Sequence, residues 1–297
     1  MVEAESGAPF VYHVGAHKTG TSLLQHYLSS NRPMLRERRI LYIGRAVADQ
    51  IARAREDPEV ADEAKAHLRK FRRRSEAYDV FLASYENALG PPFSRARKDR
   101  GLYPRSAARM AALVKTLRMF RPKILLTVRP PAEFLESYYL QSVHQGGYLE
   151  FGDWLDQHVD LELLSWRPII DNLISAFGAD AVEVVDFRMI RTSGADGYLR
   201  ELLNRMMPGT ALETGAPAVS NASISDKGLR LALAGNPYLR DKDEQIAMRR
   251  FLQTRFSNLA YPRPVLLSDD QKRWLHDRYS QDYDDLFAGG ADRVSAE

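Results

Sequence analysis

Phe10-Val11-Tyr12-His13-Val14, continuing into Gly15-Ala16-His17-Lys18-Thr19-Gly20-Thr21-Ser22, is the stretch whose reading decides the fold. The first five residues are a short, mostly apolar run that stops at a glycine, the pattern of a buried strand. From Thr21 to Ser30 the apolar positions recur at helical spacing, so the unit reads as strand, tight loop, helix. The N–H groups that open such a helix, together with the positive end of its dipole, cradle an anion. Two glycines of the pattern G-x-x-x-x-G-K-[ST] are present, at 15 and 20. Thr21, however, stands where that pattern has its lysine, and the lysine comes earlier, as Lys18. This is a phosphate loop by context and not a Walker A loop. Moving the lysine changes which oxygen it touches, and losing the Gly-Lys-Ser/Thr ending removes the usual arrangement linked to Mg²⁺.

Outward from this unit, Ile40 to Ile43, Val80 to Ala83, Ile124 to Val128 and Val182 to Val185 are further short apolar runs separated by helical patterns. That alternation predicts an α/β chain: a three-layer, parallel-sheet P-loop nucleotide-binding fold with helices on both faces. From about Ser225 the pattern is helical throughout, with segments near 225–235, 241–256 and 268–286. The expected organisation is one domain over 1–297, with an α/β core at 8–220 and a helical C-terminal annex at 221–297. Residues 91–106, rich in Pro, Arg and Ser, read as a mobile loop of the kind that covers an active site.

The chain has 297 residues, 44% of them hydrophobic and 27% charged, enough to bury a substantial core. A net charge of +3 suits an anionic ligand but is far from the lopsided charge of a protein that coats nucleic acid, so no nucleic-acid partner is expected. With no cysteine, disulfides, thiolate metal sites and cysteine nucleophiles are excluded. The N-terminal MVEAESGAPF has neither the basic nor the apolar region of a secretory signal, and no apolar run approaches the ~20 residues that span a bilayer. A cytoplasmic location without a transmembrane segment is the expectation.

A second motif follows the run Lys123-Ile124-Leu125-Leu126-Thr127-Val128, which ends in Arg129-Pro130. An arginine there lies at the carboxyl edge of the sheet, where ligands bind in open α/β folds. A helix is expected to begin near Pro131, and Ser137, eight residues past Arg129, then faces the same anion across the strand–helix turn.

Residues His13 to Gln25 resemble the 5′-phosphosulfate loop of sulfotransferases that use PAPS (3′-phosphoadenosine 5′-phosphosulfate), particularly bacterial ones. Arg129 and Ser137 are similar to the pair that holds the 3′-phosphate of PAPS in that family. The resemblance implies that Lys18 contacts the bridging oxygen of the leaving phosphate. It also implies that the amides and hydroxyls of Thr19, Gly20, Thr21 and Ser22 bind the phosphosulfate. The implied reaction is in-line sulfuryl transfer from PAPS, which leaves as PAP, to a hydroxyl or amine. The acceptor, whether carbohydrate, lipid or small metabolite, stays open. The glycine- and lysine-rich segment that closes over the adenosine in animal cytosolic members has no counterpart here. Asn221-Ala-Ser-Ile-Ser and the helices after it look like the C-terminal part of bacterial relatives.

The proton acceptor is legible only as candidates. Glu86, just beyond the run Val80 to Ala83, falls on the same sheet edge as the loop and leads; His17, inside the loop, is second. His13 and His144 read as packing or surface residues, and Gln25 as a structural hydrogen-bonding group. Tyr85, Tyr103, Tyr138, Tyr139 and Tyr148 fit either an acceptor pocket or the core and receive no role. Arg69-Lys70-Phe71-Arg72-Arg73-Arg74 is either an anion-attracting patch or a solvated helix face. No His/Asp/Glu grouping has metal-ligand spacing, so no metal is expected. Two other readings stand beside this one: a P-loop small-molecule kinase using ATP and Mg²⁺, with Asp186 as its carboxylate, and a non-catalytic polyanion-binding protein. Oligomeric state is not legible.

Overall fold

A computed structural model describes residues 9–94, 101–210, 212–213 and 223–288. The opening stretch forms strand β1 (Pro9–Gly15) and helix α1 (Thr21–Ser30), with the loop between them. Along β1 the side chains alternate between two cores: Phe10, Tyr12 and Val14 enter one and Val11 the other, as the two-residue period of a strand covered on both faces requires. Helix α2 (Arg32–Glu37) leads to β2 (Ile40–Ile43), and helices α3 (Arg45–Arg53) and α4 (Pro58–Arg72) lead to β3 (Val80–Ser84). Helix α5 (Ser106–Leu117) precedes β4 (Arg121–Val128). Helices α6 (Pro131–His144), α7 (Phe151–His158) and α8 (Arg167–Phe177) separate β4 from β5 (Val182–Asp186).

The five strands pair in parallel in the order β2-β3-β1-β4-β5. Helical crossovers between parallel strands place helices on both faces, giving the expected three-layer α/β architecture. On one face α1 and α9 (Met189–Met206) cover Val11, Leu82, Leu125 and Val185; Leu24, Tyr27 and Leu28 of α1 meet Tyr198 and Leu202 of α9 there. Leu24 and Leu28 are fully buried, so truncating either to alanine costs about 2–5 kcal/mol. The chain runs from β1 out to the β2 edge and later returns to β4 on β1's other side. Strand order therefore reverses at β1, and the crevice beyond its carboxyl end is where such sheets bind ligands.

The three later segments are helices as expected: α10 (Asp226–Gly235), α11 (Lys242–Arg255) and α12 (Asp269–Ala288). Helix α12 is fastened by tyrosines. Tyr279 Oη donates to the Leu161 carbonyl at 2.6 Å and accepts the Leu164 N–H at 3.1 Å. Tyr283 Oη lies 2.8 Å from Asp186 Oδ1 and 3.2 Å from the Val128 carbonyl. Phe93 and Leu102, within the stretch expected to be a mobile loop, are buried, and the Tyr103 N–H donates to the Pro92 carbonyl at 2.7 Å. The middle of that stretch, residues 95–100, lies outside the described residues, as do Asn221 and residues 1–8. The basic run closes α4 with its Arg and Lys side chains exposed and Phe71 buried. Among the described residues no helix is long and apolar enough to cross a membrane.

Candidate functional site

The loop after β1 turns its carbonyls toward protein donors, and from Lys18 on its N–H groups point away from protein acceptors. Thr19 Oγ1 donates to the Ala16 carbonyl at 2.6 Å, Arg129 Nη1 to that of Lys18 at 3.0 Å, and Tyr198 Oη to that of Thr19 at 2.9 Å. The N–H groups of Lys18, Thr19, Gly20, Thr21 and Ser22 have no partner among the described residues. Helix α1 starts from Gly20 with no side-chain cap and no acid in its first turn, so its positive end is uncompensated. Lys18 and Gly20 are both left-handed, with φ of 65° and 76°. For a lysine this conformation costs roughly 1–2 kcal/mol, which the hydrogen bonds on either side sustain. A Cβ at Gly15 would stand 2.2 Å from Thr21 Oγ1 and 2.8 Å from the His13 ring, so only glycine lets α1 fold back this tightly. Thr21 Oγ1 is buried and has no partner among the described residues. Ser22 is exposed.

The Lys18 side chain is open to solvent yet ringed by protein. That surround first, and the Arg129 guanidinium second, lower the pKa of its ammonium.

Arg129 follows β4 as expected, and its backbone is held by Trp166, whose Nε1–H donates to the Arg129 carbonyl at 2.8 Å. Its side chain is 14% exposed and packs over the Phe187 ring, with 5.3 Å from Cζ to the ring centroid. Nη1 goes to Lys18 and Nη2 to Glu133 Oε2 at 3.1 Å; Nε is buried without a partner among the described residues. Glu133 also takes Arg191 Nη2 at 2.7 Å. Ser137 stands one turn along α6 from Glu133, on the same helical face. The second motif thus forms a cationic corner of Arg129 and Arg191 in which a carboxylate already sits. Glu133 lies four residues past Arg129 on α6, whereas Arg191 carries no sequence signal of its own, because α9 reaches the corner only through the fold.

The two candidate proton acceptors line one polar cavity of about 430 Å³. Glu86 opens a short 3₁₀ turn after β3; Oε1 pairs with Arg45 at 3.2 Å, while Oε2 is buried and has no partner among the described residues. His17 is 6% exposed and fully engaged. Its backbone N–H donates to Tyr103 Oη at 2.9 Å, Nδ1 lies 2.9 Å from the same oxygen, and Nε2 lies 2.8 Å from Asn87 Oδ1. The consistent assignment has Tyr103 donating to Nδ1 and Nε2–H donating to Asn87. Burial lowers the His17 pKa, with a smaller push the same way from Lys18, partly opposed by Glu86 and Asn87. Tyr103 and Asn87 are therefore site residues missed by sequence reasoning; the tyrosine's signal was lost among five similar ones.

His13 is buried between strands, with Nδ1 2.9 Å from Ser84 Oγ and Nε2 3.1 Å from Thr127 Oγ1. Gln25 Nε2 donates to the Ser84 carbonyl at 2.9 Å. His144, at the end of α6, has a buried, unpartnered Nε2 and a pKa brought down to about 4 by burial first, then by Lys18 and Arg249. Asp186 is fully used inside the protein: Oδ1 accepts the Arg188 N–H at 2.8 Å and Oδ2 accepts Arg188 Nε at 2.6 Å, besides the contact with Tyr283.

No protein-family model matches the sequence. No curated protein matches it either. Among solved structures, the chain is similar to the crystal structure of a sulfotransferase from Alicyclobacillus acidocaldarius, at 17% identity and a TM-score of 0.46, over 80% of this chain and 99% of that one.

Proposed function

We propose that the chain is a sulfotransferase that moves a sulfuryl group from PAPS to a hydroxyl or amine of a small-molecule, glycan or lipid acceptor, working as one domain that includes the C-terminal helices. The observation that carries the reading is the run of five unpartnered N–H groups, Lys18 to Ser22, tied by the Arg129 side chain to a second cationic corner. Two anion sites joined in this way fit a ligand with a phosphate-bearing group at each end. The buried, unpartnered Thr21 Oγ1 and Arg129 Nε supply further hydrogen-bonding capacity for it.

When bound, PAPS supplies the sulfuryl group. The residues of this chain orient it and manage charge and the proton. Lys18 and the loop amides neutralise charge that builds on the leaving oxygen; Arg129, Ser137 and Arg191 hold the other phosphate. Glu86 Oε2 accepts the acceptor's proton. His17, with both ring nitrogens already bonded, holds the loop and the cavity wall in register beside it. The engagement of Asp186 by Arg188 and Tyr283 leaves the kinase alternative without its carboxylate.

The test is calorimetric titration with PAP, without Mg²⁺, of the wild type and of Lys18→Ala and Arg129→Ala, with Mg-ATP run in parallel. Binding of PAP in the micromolar range, about −8 kcal/mol, weakened in both variants and much stronger than that of Mg-ATP, is the expected result. Binding of Mg-ATP without PAP would replace the reading with the kinase; binding of neither would favour the polyanion-binding protein.

A further inference from the structure

We propose that the cavity between the end of α6 and helix α7 is the acceptor site and takes an uncharged hydroxyl compound with a flat, apolar ring body; this rests on the sulfuryl-transfer reading of the adjoining loop. The cavity measures about 860 Å³, at the upper end of what drug-sized ligands occupy and more than a monosaccharide needs. Its wall is aromatic: Phe93 meets Tyr138 at 5.5 Å and Trp154 at 5.7 Å between ring centroids, both edge-on, and Tyr148, 58% exposed, stands at the mouth. Ser142, Gln145 and Gln157 contribute uncharged hydrogen-bonding groups. Among the described residues no Asp, Glu, Lys or Arg lines it, and His158 is its one histidine. A charged acceptor would give up its hydration there with no carboxylate, ammonium or guanidinium to pair with, and a sugar's many hydroxyls would outnumber the few polar groups on the wall.

The polar cavity next to it has the opposite character, with Arg45, Asp49, Arg53, Glu86 and Arg109 on its walls. The two share Pro91, Tyr138 and Gln145, and the Tyr138 ring meets the His17 ring edge-on at 5.5 Å and 87°. A ring body seated against Phe93 and Trp154 therefore extends its hydroxyl past Tyr138 toward Glu86. The site is built before any ligand arrives. Asn236 Nδ2 donates to the carbonyls of Val143 and Gly147 at 2.8 and 2.7 Å, fixing the turn where α6 ends, and Gly146 supplies the left-handed residue (φ 95°) that turn requires.

Three probes separate ring, charge and polarity: 2-naphthol, 2-naphthoate and methyl glucoside, titrated by calorimetry into the wild type, Tyr148→Ala and Gln157→Lys. Both substitutions fall on exposed side chains, and thermal melts check that the variants are folded. The expected result is preference for 2-naphthol in the wild type by about tenfold or more, the order of one good apolar contact set. Tyr148→Ala then weakens naphthol by a similar factor, and Gln157→Lys shifts preference toward naphthoate. Wild-type preference for naphthoate or methyl glucoside, or naphthol binding unmoved by both substitutions, overturns the assignment. Parallel PAP titration tells the two failures apart: PAP bound with naphthol rejected sinks the acceptor site alone, whereas naphthol bound with PAP rejected sinks the sulfotransferase reading.

Discussion

The Arg129 guanidinium donates to the Lys18 carbonyl at 3.0 Å, across 111 residues of sequence, so the residue that closes β4 also holds the left-handed turn of the loop after β1. One side chain thereby bridges the loop and the cationic corner. A lysine at this position keeps the charge but has no planar fork to bond Lys18, Glu133 and a ligand together. Arg129→Lys is expected to weaken PAP by about tenfold or more, as loss of a charge-assisted hydrogen bond does. Unchanged PAP affinity in calorimetry would sink the assignment of Arg129 to the second phosphate.

On the proposed reading, Glu133 is the counter-ion that the second phosphate must share or displace. Its Oε2 lies 3.1 Å from Arg129 and 2.7 Å from Arg191, one helical turn from Ser137. In Glu133→Gln the acceptor atom stays and the negative charge goes, so PAP should bind several-fold more tightly at low ionic strength, and the gain should shrink as salt rises. Weaker binding in the variant would mean that Glu133 positions Arg129 instead of competing with the ligand.

The fold was legible from the chain because the features that set it are local. A strand run ending at Gly15, a helical period from Thr21, and the repeat of such units specify a parallel sheet without knowledge of any long-range contact. The placement of Lys18, Glu86 and Arg129 at one edge of the sheet was legible for a related reason: each follows a strand, and all strand ends of a parallel sheet share an edge. What stayed hidden arrives from far along the chain or depends on which neighbour a side chain finds. Tyr103 reaches His17 across 86 residues, and Arg191 comes from the helix that follows β5. His17 was readable as a titratable group in the loop, whereas the bonds that occupy both of its nitrogens were not. The expectation of a loop over 91–106 missed that Tyr103 is fully buried, since Pro- and Arg-rich composition does not register one tyrosine packed beneath the site.

Removing the Tyr103 hydroxyl tests that network. In Tyr103→Phe the His17 N–H loses its acceptor and Nδ1 its donor in a site shut from water. A buried group left unsatisfied costs about 1–3 kcal/mol, so denaturant unfolding should show a loss of at least that size, together with weaker PAP binding from the altered loop. A change within about 0.5 kcal/mol, the size of a surface substitution, would show that the network contributes nothing to the loop.

Glu86 has one oxygen on Arg45 and the other buried without a partner in the cavity it shares with His17. If Oε2 takes the acceptor's proton, Glu86→Gln should lower kcat by about 10²–10⁴-fold while PAP affinity stays the same, because the amide keeps the shape but accepts no proton. Turnover within about threefold of the wild type would move the proton acceptor elsewhere. His17→Asn, measured alongside, separates the candidates: a positioning role predicts weaker PAP binding together with lower kcat, a role as base a loss in kcat alone.

The last expectation concerns acid. Burial drives the His13 pKa from 6.5 down to about 3, and His144 falls to about 4. In the unfolded chain both return to ordinary values, so between about pH 6.5 and these folded values the unfolded state binds protons that the native state refuses. Stability must then fall as pH falls through that window, by up to about 1.4 kcal/mol per pH unit for each histidine. His13→Gln keeps groups that can bond Ser84 and Thr127 but removes the titration. The variant starts less stable at neutral pH, yet its unfolding free energy should decline less steeply with acid than the wild type's, by about one proton's worth of slope from pH 6 to 4. Parallel slopes in denaturant titrations across that range would show that His13 does not resist protonation in the native sheet.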